Sequence, residues 1–194
     1  MAVTNWEEKY QTGDTPWNKG EPSPGLMDFL ANHPGAVRGP VAVPGCGFGH
    51  DACAWARAGV AAVGFDLAPS AVALARKHAP AGLPVSFEQA DFLEGNPPRR
   101  FNALFEHTLY CAIQPEMRAA YARAAARWVQ PGGTFVAVHY FLPVGEEGPP
   151  FGCDRNEILS RFSDGFELLG EWIPRSYPNR VGLERLFWWR RRPV

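Results

Sequence analysis

The chain has 194 residues, 46% of them hydrophobic, and a formal net charge of −1, which is ample material for one globular core. A near-neutral balance argues against a dedicated nucleic-acid binder, and neither a membrane-spanning apolar run nor a signal-peptide pattern is found. The four cysteines (46, 53, 111 and 153) form no C-x-x-C pair and no zinc spacing with the five histidines, so reduced thiols, no metal site and a cytoplasmic setting are expected.

Residues 1–25 carry Trp6, Tyr10 and Trp17 among polar residues, glycine and proline. Trp6 and Tyr10 are four apart, so one helical turn would put both rings on one face. Two readings stand: the rings anchor an N-terminal arm on the domain, or they form an aromatic lid over a ligand. A helix over 26–31 follows Pro22-Ser-Pro-Gly25.

The segment that organises the chain is Pro40-Val-Ala-Val-Pro-Gly-Cys-Gly-Phe-Gly-His-Asp51. An apolar run, Val41 to Val43, breaks into Gly45, Gly47 and Gly49, and an alanine-rich stretch follows to Ala58. The pattern predicts a buried strand, a tight glycine turn and a closely packed helix. A second run, Val60 to Phe65, ends in Asp66, where a carboxylate can accept from both ribose hydroxyls of a nucleoside held over the turn. Counted from Gly45, the dinucleotide fingerprint wants glycine at position 50, but His50 stands there and the third glycine is Gly49. This spacing favours S-adenosylmethionine over NAD.

A helix over 67–78 with basic residues at its end follows, with Leu67 placed as an apolar wall for the adenine. Next come a third strand over 85–87 and Asp91-Phe92, where the acid either caps a turn or accepts from the adenine amino group. A fourth strand, Arg100 to Phe105, ends in Glu106-His107-Thr108, which should face the site because ligands lie at the carboxyl ends of such strands. A helix over 115–129 and a strand over 134–141 follow; His139 on that strand reads as a half-buried histidine with a hydrogen-bond partner. After a Gly/Pro-rich loop and a helix over 155–162, aromatic-rich strands over 166–173 and 183–189 predict a closing hairpin. The whole reads as a single α/β domain over 1–194, a Rossmann-like, doubly wound, mostly parallel seven-stranded sheet with a C-terminal antiparallel hairpin.

With these residues in view, the chain resembles the thiopurine methyltransferase superfamily of class I S-adenosylmethionine-dependent methyltransferases, in particular its thiol and halide branch. The matching pieces are Thr15-Pro-Trp-Asn-Lys-Gly20, the turn 43–51, Gly64-Phe-Asp-Leu67, Cys111-Ala-Ile-Gln-Pro-Glu-Met-Arg118, Pro131-Gly-Gly133 and Gly148-Pro-Pro-Phe151. The resemblance implies that Trp6, Tyr10 and Trp17 cover the cofactor, and that Gly45, with Cys46 and Gly47 in the same turn, meets its methionine side. It also implies Asp66 with Leu67 at the ribose and adenine, Asp91 and Phe92 at the adenine, and Glu106 near the methionine amino group. His107 stands where the thiopurine branch has an arginine, which argues against a purine thiol.

The implied reaction is methyl transfer to a small soft nucleophile: a thiol, hydrosulfide, thiocyanate, halide, or a selenium or tellurium species. Such acceptors need little acid–base help, so no obligatory general base is expected; His107 and His139 are the bases to test. The expected protein is a monomer with no nucleic-acid or membrane partner. Two other classes remain: an NAD-linked oxidoreductase, and a non-catalytic nucleoside-binding protein.

Overall fold

A computed structural model describes residues 4–145 and 147–193. The elements in chain order are α1 (Trp6–Thr12), α2 (Pro24–Asn32), β1 (Val41–Pro44), α3 (His50–Arg57), β2 (Ala62–Asp66), α4 (Pro69–His78) and β3 (Val85–Gln89). There follow β4 (Phe101–His107), α5 (Arg118–Trp128), β5 (Val129–Tyr140), α6 (Arg155–Phe162), β6 (Phe166–Trp172) and β7 (Glu184–Arg191).

The seven strands form one sheet in the order β3-β2-β1-β4-β5-β7-β6. β1 to β5 pair in parallel, whereas β7 runs antiparallel to both β5 and β6. The strand order reverses between β1 and β4, which fixes the crevice at their carboxyl ends as the ligand position. Every residue of β1 and β2 is buried, because helices cover both faces of the parallel part.

Two apolar layers sandwich the sheet. One face packs Val41, Val43, Ala103, Phe105 and Val136 against Leu26 and Phe29 of α2, Trp55 of α3 and Val72 of α4. The other packs Phe65, Leu104 and Phe135 against Tyr121 and Trp128 of α5 and Phe162 of α6. Trp128 centres the second layer, its ring 4.8 Å from Phe65 and 5.2 Å from Phe92.

Two boundaries differ from the sequence expectation by more than two residues. The helix expected from Pro115 starts as a 3₁₀ turn over Pro115–Met117, and α5 begins only at Arg118. The strand expected from Thr134 begins at Val129, which pairs with Phe101; the ladder then skips to Thr134 opposite Ala103. The intervening Pro-Gly-Gly is therefore a bulge within β5 rather than a loop before it. Gly133 permits this, since a Cβ there would stand 2.7 Å from the carbonyl oxygen of Asn102.

Two of the segments that carry the resemblance turn out to be joined. Arg118, 2% exposed, donates from Nη1 to the carbonyl of Gly152 (2.9 Å) and to Glu157 (3.0 Å), and from Nη2 to the carbonyl of Phe151 (3.0 Å). The amide of Phe151 donates to the carbonyl of Cys111 (2.7 Å). Thus the Cys111–Arg118 motif fastens the Gly148–Phe151 loop to the sheet edge that carries the site.

Candidate active site at the carboxyl edge of the sheet

The glycine turn joins β1 to α3, and Gly45, Gly47 and Gly49 all have positive φ (61°, 52° and 82°). These are conformations that side chains with a Cβ adopt at a cost. Close approach adds to this at Gly49, where a Cβ would stand 2.7 Å from the Phe87 ring. The turn is thus left as bare backbone facing the crevice, with α3 starting behind it.

Asp66 ends β2 beside the turn. Its Oδ2 accepts from the amide of Gly47 (2.9 Å) and its Oδ1 from that of Ala68 (3.0 Å). Burial raises its pKa against the opposing pull of these backbone donors. Next to it Leu67 is 55% exposed, an apolar surface that a flat ring could cover. On the far side Asp91 Oδ1 accepts from the amides of Leu93 and Glu94, so its carboxylate caps its own turn. The side chain of Phe92 is buried in the core against Tyr121, which leaves its backbone as the part able to meet a ligand.

The aromatic arm lies over the turn. Trp17 packs edge-on to both Trp6 (5.4 Å between centroids) and Tyr10 (5.7 Å), and its Nε1 donates to the Tyr10 hydroxyl (3.3 Å). That hydroxyl would stand 3.0 Å from a Cβ at Gly47. The arm is fastened as well as folded over. Glu7 accepts from the amide (3.0 Å) and hydroxyl (2.6 Å) of Ser70 at the start of α4, and Asn18 Oδ1 is 3.1 Å from His50 Nε2. The two readings of these rings are therefore compatible.

Beyond the turn lies a cavity of about 60 Å³, bordered by Trp17, Asn18, Cys46, Asp51, His107 and Tyr177 among others. His107 is the best-tethered of these. Its Nε2 is 3.1 Å from Glu184 and its Nδ1 3.5 Å from Asp51, and Arg180 Nη1 contacts both Glu184 (3.1 Å) and His107 (3.4 Å). Burial works against its charge, but the two carboxylates outweigh it and push its pKa up to about 9. His107 is thus an imidazolium at neutral pH, with no lone pair for a base.

His139 departs from expectation. It is 1% exposed rather than half-buried, and neither ring nitrogen has a hydrogen-bond partner among the described residues. Burial pushes its pKa down to about 3 and that of Glu106 up to about 7. The 3.3 Å approach of His139 Nδ1 to Glu106 Oε2 is therefore a contact of two neutral groups near pH 6, not an ion pair. Both side chains lie on the sheet face packed by α5 and α6, whereas His107, the next residue, points to the opposite face. The carboxyl of Glu106 is turned to the amide of Tyr110 (2.9 Å) and is 0% exposed.

Burial also raises the thiols of Cys46 and Cys111, the latter to about 12, so neither is a ready nucleophile. Sequence reasoning missed Asp51, Arg180 and Glu184. The one available signal was a lone acid at the head of the apolar run Leu183-Glu-Arg-Leu-Phe-Trp-Trp189.

A family model of thiopurine S-methyltransferases matches residues 1–170. The chain belongs to this family. The thiocyanate methyltransferase 1 of Arabidopsis thaliana is 32% identical over 195 residues, covering 96% of this chain and 84% of that protein. The 2-heptyl-1-hydroxyquinolin-4(1H)-one methyltransferase of Mycobacteroides abscessus is 32% identical over 155 residues, covering 76% and 67%. A solved structure from work on the conversion of a disulfide bond into a thioacetal group during echinomycin biosynthesis superposes with a TM-score of 0.77 at 25% identity, covering 96% and 91%.

The protein is a methyltransferase and S-adenosylmethionine is its cofactor. The residues present fit that group: bare turn backbone at 45–49, the Asp66 carboxylate beside it and an uncovered apolar side chain at Leu67.

Proposed function

We propose that this methyltransferase alkylates a small soft nucleophile, such as a thiol, hydrosulfide, thiocyanate or halide, by in-line displacement. The observation that supports the reading is at the mouth of the glycine turn, where His107 lines the same space as Gly45, Cys46 and Gly47 and has both ring nitrogens set against carboxylates, those of Asp51 and Glu184. A site whose histidine is engaged on both nitrogens offers no free base, which suits an acceptor that is already ionised. The names of two relatives point the same way, thiocyanate methyltransferase 1 and probable thiol methyltransferase 2, whereas that of the Mycobacteroides abscessus relative names a larger acceptor.

The bound cofactor supplies an electrophilic methyl group on a sulfonium. The chain's own part is to bind, align and dehydrate. Gly45, Cys46 and Gly47 present the turn to the methionine side, Asp66 accepts from the ribose, and Leu67, Asp91 and Phe92 border the adenine. Trp6, Tyr10 and Trp17 cover the crevice and exclude water, which strips the nucleophile of its hydration shell. Ring faces there also favour a sulfonium over a neutral thioether. The protein works as a single cytoplasmic domain and a monomer, without nucleic-acid or membrane partners.

The test is turnover of S-adenosylmethionine with thiols, hydrosulfide, thiocyanate, iodide, selenite and a 1-hydroxyquinolin-4-one, following S-adenosylhomocysteine. Preference for the small anions or thiols supports the proposal. Preference for the hydroxyquinolone, or binding of S-adenosylhomocysteine with no turnover on any acceptor, would sink it.

A further inference from the structure

The turn after β4 forms one wall of the cavity through His107 and Thr108. It is strained: Thr108 is the one residue other than glycine with positive φ (68°) among the described residues, and it is β-branched. A conformation of that kind persists only where its surroundings hold it. Leu109 of the same turn leans on the glycine turn, 3.0 Å from where a Cβ of Gly45 would lie.

The hold comes from beneath. Glu106 Oε1 accepts from the amide of Tyr110, closing the turn, and the Sγ of Cys111 lies 3.3 Å from the carbonyl of Thr108. Among the described residues Glu106 Oε2 has no hydrogen-bond partner, and neither has Nδ1 of His139, 3.3 Å away. Two orphaned polar atoms that face each other inside a core cost several-fold more apart than joined. At 3.3 Å the two atoms are already within hydrogen-bonding distance, so reorientation of the side chains is what pairs them. One proton suffices at any pH near neutrality, carried on Oε2 when the carboxyl is neutral and on Nδ1 when it is ionised.

We infer that Glu106 and His139 share a proton across this gap and together act as a positioning pair, which sets the His107–Tyr110 wall of the acceptor cavity without touching the cofactor. The groups facing the pair are Tyr110 and Cys111 on the turn and Arg118 and Tyr121 on α5, while His107 and Asp51 act on Glu106 from the opposite face of the sheet. This differs from the role that the family resemblance implies for Glu106, contact with the methionine amino group. It rests on the proposed function only for where the wall matters.

The experiment uses the full chain with iodide as acceptor and S-adenosylhomocysteine as the calorimetric ligand. His139→Leu keeps the volume but removes the shared proton, and is expected to raise the KM for iodide about tenfold while kcat moves less. His139→Asn places an amide near the Nδ1 position and is expected to recover most of that loss. Glu106→Gln keeps an acceptor for Tyr110 and a donor for His139, so it should bind S-adenosylhomocysteine within about threefold of the parent. A tenfold weaker affinity in Glu106→Gln would instead make Glu106 a cofactor contact, and an unchanged iodide KM in His139→Leu would make the histidine mere filling. Should the parent protein methylate no acceptor, the proposed function falls while the pair is still read by hydrogen exchange. The Tyr110 amide should exchange about tenfold faster in His139→Leu and recover in His139→Asn, and unchanged exchange overturns the pair. If His139→Leu does not fold, the same two readouts in His139→Asn and Glu106→Gln decide: parent-like values in both support the pair, and loss in either overturns it.

Discussion

Gly47 shows how much a single residue can decide. Its φ of 52° and the Tyr10 hydroxyl 3.0 Å from a would-be Cβ leave no room for alanine without strain or displacement of the arm. Gly47→Ala is expected to weaken S-adenosylhomocysteine at least about tenfold by calorimetry, since left-handed backbone costs an L-residue about 1–2 kcal/mol before any steric clash. His107 makes the opposite case, a chemically able side chain held out of acid–base use by Asp51 and Glu184. In His107→Ala and His139→Ala, kcat on iodide or thiocyanate is expected to stay within about tenfold of the parent, because the acceptor brings its own lone pair. Collapse of kcat in both variants would show that a base is obligatory.

Among the elements, α1 has the least support of its own. It spans seven residues with none buried, capped by Asn5 at one end and Gly13 at the other. Helices this short are marginal in isolation, so its position depends on what it touches. The Glu7 carboxylate on Ser70 supplies a fixed point at the N-terminus of α4, and this hydrogen bonding keeps the Glu7 pKa below its ordinary value. Glu7→Gln is expected to speed S-adenosylhomocysteine dissociation in stopped-flow measurements while the melting temperature barely moves. A large drop in melting temperature would mean that the arm is part of the folding unit rather than a cover. By contrast, α5 is tied in by Trp128, 0% exposed between Phe65, Phe92 and Phe101. Trp128→Ala should cost about 3–5 kcal/mol in denaturant unfolding.

For the molecule as a whole, stability and pH are linked through the buried groups at the carboxyl edge. The pKa of His107 rises from 6.5 to about 9 on folding, so its contribution is complete below pH 6.5 and is lost as pH climbs through 9. Glu106 rises from 4.5 to about 7, which puts its loss in the same direction, as pH climbs through 7. The melting temperature should therefore fall on going from pH 6.5 to pH 9, by about 3 °C or more. His107→Gln should flatten the upper part of that decline; an unchanged slope would show that the imidazole is not charged in the folded state.

Much of this was legible in the sequence because it depends on local pattern. Apolar runs broken by Gly45, Gly47 and Gly49 and closed by Asp66 dictate strand, turn and acid whatever lies elsewhere, and the alternation of such units dictates a parallel sheet. The arm's helical turn and the closing hairpin were readable for the same reason. The β5 bulge was not, because Pro131-Gly132-Gly133 looks like a loop until Val129 is paired with Phe101. The surroundings of His107 and His139 were also beyond reach. Adjacent strand residues point to opposite faces, so Glu106 meets His139 and Tyr110 while His107 meets Asp51 from α3 and Glu184 from β7. Tyr110 is four residues from Glu106, but His139 is 33 residues from it, and Asp51 and Glu184 are 56 and 77 residues from His107, so only the packed sheet decides which charge each histidine carries.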